Sequence, residues 1–382
     1  MRRKTGHAWM VLLAGICAAA CDKARAAPAP PLVAYTPVER VRSDSSAELM
    51  GGFAVDVDSR GNFYVADRWA IRVFAPDGRL VRSIGRQGEG PGEFSFLHSV
   101  EVMPGDSLFA YDTGLRRVSV FAPGANRVAY TIQVGRDETF SAWQVWRVPR
   151  DRSIAALFQA AYVGGHDEGF EQRKGVVRLF NPDGSLRQDS VLSVRQQDYL
   201  IMSQPHSVMI TSHPFGSRPL LAMSPRGRIV RMSTDSLTFD LYSPEGRHLK
   251  TLLGQYPAGR RPVLGQERDS AIAEVGRGGV EAQVRRAMDE HDIRQWPLVQ
   301  DMIVDDEERI WAAITGERGG PNHWVAFDMD GRAVARMDLP VRTFLRKVHG
   351  TTAYATTYDE NDVPQVVVFD LKPSGTLALN SR

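Results

Sequence analysis

Cysteine is almost missing from this 382-residue chain: Cys17 and Cys21 are the only two, and both lie near the N-terminus. The body of the protein is therefore expected to hold no disulfide and no thiol nucleophile. Neither sign of charge dominates, with 47 Lys and Arg against 45 Asp and Glu. Arg2, Arg3 and Lys4 precede Cys21, which leaves 44 against 45 beyond it. With no basic excess or stripe, nucleic acid is not expected as a partner. Past residue 20 there is no apolar run long enough to predict a transmembrane helix. His-x-x-x-His pairs, paired-carboxylate motifs and a nucleophile elbow are also missing. The run Gly85-Arg86-Gln87-Gly88-Glu89-Gly90-Pro91-Gly92 is followed by no Lys-Ser/Thr and no helix, so it reads as a turn and not as a phosphate loop.

The first residues have the pattern of an export signal. Arg2-Arg3-Lys4 is a charged start, and Ala8–Ala20 is apolar but too short to span a bilayer. Two processing sites compete. Ala18-Ala19-Ala20-Cys21 is similar to a lipoprotein box, which would make Cys21 the lipidated N-terminus and that lipid the membrane contact. Ala24-Arg25-Ala26 fits ordinary signal cleavage, which would release a soluble protein. The expected organisation is a signal peptide over residues 1–20, a tether over 21–31, the folded body over 32–373 and a tail over 374–382. The product is exported to the periplasm or outer surface.

What fills the body is repetition. Phe74-Ala75-Pro76-Asp77-Gly78 returns as Phe121-Ala122-Pro123-Gly124, Phe180-Asn181-Pro182-Asp183-Gly184, Tyr242-Ser243-Pro244-Glu245-Gly246 and Phe327-Asp328-Met329-Asp330-Gly331, with Phe369-Asp370-Leu371-Lys372-Pro373 as a degenerate last copy. Pro presets one turn dihedral and Gly supplies a positive φ, so each copy predicts strand, tight turn, strand. Six copies of an antiparallel unit predict an all-β repeat architecture. The sixth unit offers three strands, and the isolated segment Leu32–Val41 is the expected fourth, pairing with Gln365–Asp370 to close a ring without free edges. Residues 266–293 carry helix formers split by glycines. Val280, Val284, Ala287 and Met288 fall on one face, which predicts a helical insertion between the fourth and fifth units, laid over something apolar.

The glycine-rich run, together with Gly61-Asn62-Phe63-Tyr64-Val65-Ala66-Asp67, resembles the NHL-repeat type of β-propeller, in particular the six-bladed propellers of bacterial exported proteins. The resemblance is strong over residues 51–135 and degraded to about residue 371. It implies a six-bladed β-propeller closed by the N-terminal strand. It also brings two enzymatic precedents. The amidating lyases of this type hold zinc with three His from separate blades, and the lactonase-type propellers hold calcium with Glu, Asn and Asp.

In a propeller the connections from second to third strand, and from fourth strand to the next blade, share one rim. The long connections 86–98, 164–175, 195–218, 255–298 and 316–322 all fall there, so that rim is the expected working face. It offers Arg68, Trp69, His98, His206, His213, Phe215, Trp296, Asn322, His323, Tyr358 and Asp359. Mixed aromatics and imidazoles suit a peptide, glycan or protein ligand. Trp69 and Trp296 have the plainer alternative of plugging gaps between blades. Asp67 and Asp112, each ending a second strand, are expected to cap the following loop. Three functions stay open: a non-catalytic binding module with no cofactor, a zinc- or calcium-dependent lyase or hydrolase, and a structural subunit whose helices dock a partner. For the second, His98, His206, His213 and His323 are the candidate ligands, and His98 lies near where the lyases would place one.

Overall fold

Two kinds of turn recur along the chain. At one, Asp58 accepts from the backbone N–H of Arg60 and Asn62, both at 2.9 Å, and from the Tyr64 hydroxyl at 3.1 Å. Asp305 does the same with Glu307, Arg309 and the indole N–H of Trp311 at 2.8 Å. At the other, Gly78, Gly184, Gly246 and Gly331 have φ between +77° and +88°, where a side chain is strained. A Cβ on these residues would also fall 2.3, 2.6, 1.8 and 2.4 Å from the carbonyl oxygens of Arg42, Gln133, Val191 and Leu253. Each of those carbonyls belongs to the neighbouring sheet. The recurring motif is thus an inter-sheet contact as well as a hairpin turn.

The computed structural model describes residues 31–51, 54–135, 142–159, 169–204, 207–277, 279–317 and 319–377. The export signal, Cys21 and His206 lie outside the described residues. The first strand is β1 (Leu32–Arg42). Next come β2 (Ala54–Val57), β3 (Phe63–Asp67), β4 (Ala70–Phe74) and β5 (Leu80–Ile84), then β6 (Leu97–Val102), β7 (Leu108–Asp112), β8 (Arg117–Phe121) and β9 (Val128–Gln133). The third group is β10 (Ala142–Arg147), β11 (Ile154–Gln159), β12 (Gly169–Phe180), β13 (Leu186–Gln204) and β14 (Ser207–Ser212); the fourth is β15 (Pro219–Met223), β16 (Ile229–Ser233), β17 (Thr238–Tyr242) and β18 (His248–Leu253). After helices α1 (Gly265–Val275) and α2 (Glu281–Glu290) follow β19 (Val299–Val304), β20 (Ile310–Ile314), β21 (Asn322–Phe327), β22 (Ala333–Leu339), β23 (Thr343–His349), β24 (Thr352–Tyr358) and β25 (Pro364–Leu377).

These strands make an all-β propeller, but not the six separate blades expected. Among the described residues there are three four-stranded blades, one five-stranded blade and one eight-stranded sheet, ordered β19-β20-β21-β22-β1-β25-β24-β23. The difference lies in β1. It pairs antiparallel with β25 from Leu32↔Leu377 to Arg42↔Val367, and its second edge pairs in parallel with β22 through Val33↔Ala335 to Tyr35↔Met337. One strand thereby satisfies two edges that would otherwise stand open, and fuses the last two repeat units into one sheet. The same pairing carries β25 on to Leu377, past residue 373 where the sequence pattern ended the fold.

Apolar clusters between sheets close the ring. Tyr64 and Ile71 pack on Val100 and Phe121; Tyr111 and Val118 on Val145 and Phe158; Leu157 and Leu179 on Leu221 and Ile229. Phe239 and Leu252 meet Val299 and Phe327, and Tyr354 and Val368 return to Phe63 and Phe74. The first strands approach one another around the axis, β2 against β6 and β23, and β19 against β15 and β23. The fourth strands β5, β9 and β18 face solvent.

Two of the expected long loops are largely strand. β12 and β13 continue as a hairpin from Gly175↔Val194 out to Gly169↔Ile201, and β14 joins β13 through Tyr199↔Ser212. Side chains from Val194 to Leu200 alternate between buried and more exposed, as in a strand with one covered face, and the helices cover it. Val284, Ala287 and Met288 of α2 and Ile272 of α1 pack on Leu200, Met202 and Phe215. Glu281–Arg285 at 3.5 Å supports α2, and Arg268–Asp289 at 2.6 Å ties the two helices together. No described helix is long and apolar enough to cross a membrane.

Candidate functional site

Antiparallel alternation sends every first strand from the long-loop rim to the tight-turn rim, so the axial channel has two different mouths. At the long-loop mouth a cavity of about 350 Å³ opens between the starts of β10, β15 and β19. Trp143 is its exposed aromatic, 53% accessible, with the His98 ring 5.8 Å from its centroid. Gln144, Gln159, Gln196 and Gln197 supply amides, and Asp301 and Arg218 the charge. Burial raises the Asp301 carboxyl above its usual range, against the pull of its bond from Met302 N–H and of Arg218 and Arg346. Burial also lowers the His98 imidazole, so at neutral pH it is an uncharged ring against Trp143.

Beside this mouth, α1 and the loops around 316–322 and 340–344 enclose a cleft of about 440 Å³. Three predicted residues meet here: Phe215, Trp296 and Asn322. Phe215 is buried and stacks edge-on with Trp296 at 4.8 Å. The Trp296 indole donates to Glu267 at 3.0 Å and carries the Arg261 guanidinium 4.7 Å above its ring. Glu267 also accepts from Arg261 and from Leu264 N–H, and these bonds hold its carboxyl down at about 2. Trp296 is thus a fixed wall of the cleft. Asn322 donates to the Thr343 carbonyl at 2.7 Å.

The remaining predicted residues are dispersed. His213 is buried behind the cleft, its Nδ1 accepting from Phe215 N–H at 3.1 Å. Arg68 lies over Trp69 at 4.8 Å, and its carbonyl accepts from Leu97 N–H. His323 is bonded to Asp338 at 2.6 Å. Tyr358 stacks edge-on with Phe344, and Asp359 closes a turn by accepting from Asn361 and Val363 N–H. Among the described residues no three His, Cys, Asp or Glu approach as a metal-ligand set; His98, His213 and His323 belong to three separate places. Asp67 and Asp112 do cap loops, chiefly the preceding ones. Asp67 accepts from Met50 and Gly51 N–H, and Asp112 from Ser95 and Phe96, with Leu115 the one bond to the following turn. The incoming loop lies beside the end of the second strand in space, which linear order hides.

Sequence reading passed over the tight-turn end of the channel. A cavity of about 520 Å³ reaches there from His98, lined by Asp56, Glu101, Arg147, Met223, Val304 and Lys347 from all six first strands. Strand pairing puts Asp56, Glu101 and Lys347 at one level, opposite Tyr64, Phe109 and Tyr354. A charged residue at the same step of three first strands was the available signal.

No protein-family model matches the sequence, and no curated protein is similar to it. Solved structures do align over most of the chain. An exported protein from Bacteroides fragilis is 11% identical over 88% of this chain and 95% of its own, with a TM-score of 0.49. A DUF4221-family protein from Bacteroides vulgatus is 10% identical over 90% and 95%, TM-score 0.48, and a calcium-binding regucalcin from Agrobacterium tumefaciens 9% identical over 91% and 99%, TM-score 0.46. The propeller assignment rests on the chain's own ring of sheets and not on these likenesses.

Proposed function

We propose that this chain is an exported, non-catalytic binding module, anchored through Cys21, which presents its long-loop rim to a peptide or glycan segment. The observation that carries the reading is the half-exposed Trp143, held against an uncharged His98 in a mouth lined with glutamine amides. An aromatic face takes an apolar or sugar-ring surface, and amides supply both donors and acceptors to a chain that is itself neutral and hydrogen-bonding. The neighbouring cleft adds the fixed Trp296 wall to this surface.

The test is binding of fluorescent peptide and oligosaccharide panels to the purified chain and to Trp143→Ala. Saturable binding that falls at least tenfold in the variant, with unchanged thermal melting, supports the reading. A ligand whose binding is indifferent to Trp143→Ala overturns it. Stoichiometric zinc or calcium by elemental analysis, together with turnover of a lactone or cyclic peptide, would replace it with the lyase or hydrolase alternative.

A further inference from the structure

Along β13 the side chains of Leu192, Val194, Gln196, Asp198 and Leu200 are buried in turn, with Val194 against Leu221 and Ile229 of the fourth blade. Two of the five are polar. Asp198 is satisfied there, accepting from Arg195 at 2.8 Å and from Ser217 N–H at 3.0 Å. Gln196 is not: it is 3% exposed, and neither its Oε1 nor its Nε2 has a hydrogen-bond partner. It is the one described residue with two such orphan atoms. The side chain lies close to β12, where a Cβ on Gly175 would fall 2.9 Å from Nε2. A carboxamide kept from water with neither bond made is costly, and an apolar side chain of similar size would fill the place without that cost.

Gln196 stands between two cavities. With Val194, Arg218 and Pro219 it lines both the mouth cavity of about 350 Å³ and a second of about 370 Å³ between the third and fourth blades. The second cavity offers the hydroxyls of Ser233, Ser236 and Thr238. Charges there are paired with one another or with neighbours, Arg231 with Asp240 at 2.7 Å and Arg195 with Asp198. A carboxamide holds one acceptor and one donor side by side. Each residue of an extended chain shows the matching edge, its own N–H and C=O directed to the same side. Sugar hydroxyls rotate to suit acceptor or donor and make no such demand on their partner.

We propose that Gln196 is the residue that recognises main chain in this mouth: an extended peptide segment lies across the wall between the two cavities, and the carboxamide turns outward to pair with the N–H and C=O of one of its residues. This rests on the reading of the long-loop rim as a binding surface and narrows its ligand to peptide. The empty protein then carries an unsatisfied amide that the ligand relieves, so the residue is unfavourable for stability and favourable for binding.

The experiment titrates blocked alanine hexapeptides carrying one Leu, Phe or Tyr, together with chitohexaose and cellohexaose, into the purified chain, into Gln196→Leu and into Trp143→Ala, and records the thermal melting of each. The expected result is saturable binding of at least one hexapeptide, weakened at least tenfold in Gln196→Leu although that variant melts no lower than the unaltered chain. N-methylation of successive peptide amides should lower affinity at least tenfold at one position in the unaltered chain and have no effect there in Gln196→Leu, a coupling that a merely structural residue does not produce. Equal affinity for Gln196→Leu and the unaltered chain overturns the proposal, and if Trp143→Ala still weakens binding the reading of the rim stands. Weaker binding with a lower melting temperature and no N-methyl coupling overturns it by making Gln196 structural. Binding of the oligosaccharides alone, or of none of the probes, overturns it as well. Should Gln196→Leu not fold, Gln196→Met, unbranched and of the same length, takes its place.

Discussion

A single imidazole shows how burial sets chemistry in this protein. His213 is 4% exposed, and its Nδ1 accepts a backbone hydrogen bond, which only the neutral ring can do. Burial lowers it to about 4, with the Arg268 and His291 charges acting in the same direction and Asp198 and a backbone hydrogen bond with His291 opposing. The unfolded chain holds a proton on such a ring below about pH 6.5. The contribution of His213 is therefore complete above that pH and lost as pH falls toward 4, by about 3 kcal/mol in all. Urea denaturation between pH 7 and pH 4 should show the unaltered chain losing more stability than His213→Asn, the excess being this one group. Equal losses in both would show that the imidazole is not held neutral. The sequence marks His213 as a candidate ligand. Only the packing of Phe215 and the helices over it shows a ring kept from protons.

At the scale of one element, the recurring turn is where sequence and structure agree most closely. Pro244-Glu245-Gly246 is legible as a hairpin, and Gly246 has φ +84° as such a turn requires. Its second role is invisible in the sequence, because the Val191 carbonyl that stands 1.8 Å from a would-be Cβ belongs to another blade. Gly246→Ala therefore combines backbone strain with a steric conflict, for an expected loss of about 3 kcal/mol. Gly124→Ala, at a turn with φ +69° and open space around it, carries the strain alone and should lose about 1 kcal/mol. Thermal melting of the two variants separates the terms, and equal shifts would mean that the inter-sheet contact contributes nothing.

For the whole molecule the decisive strand is the first. β1 supplies hydrogen bonds to both β22 and β25, so removing residues 31–42 opens two sheet edges together and uncovers Tyr354 and Val368. The shortened chain should lose its cooperative melting transition and aggregate. Melting like that of the intact chain would mean the ring closes by other contacts. Alternation, turn chemistry and the repeat made the strands, the tight turns and the helices at residues 266–293 readable from the sequence alone, because each is fixed by neighbours a few positions away. The pairing of β1 with β25 could also be anticipated, as the one way to complete a three-stranded unit. Its second pairing, with β22, could not: an edge is satisfied by whatever strand reaches it, and which strand does is a matter of distance in the finished ring. The same holds for the candidate surfaces. Residue type and loop length pointed to the long-loop rim and to Phe215, Trp296 and Asn322. The exposed face of Trp143, and the cavity that Asp56, Glu101, Arg147 and Lys347 line together, depend on how the first strands converge on one axis, and that convergence exists only once the sheets have packed.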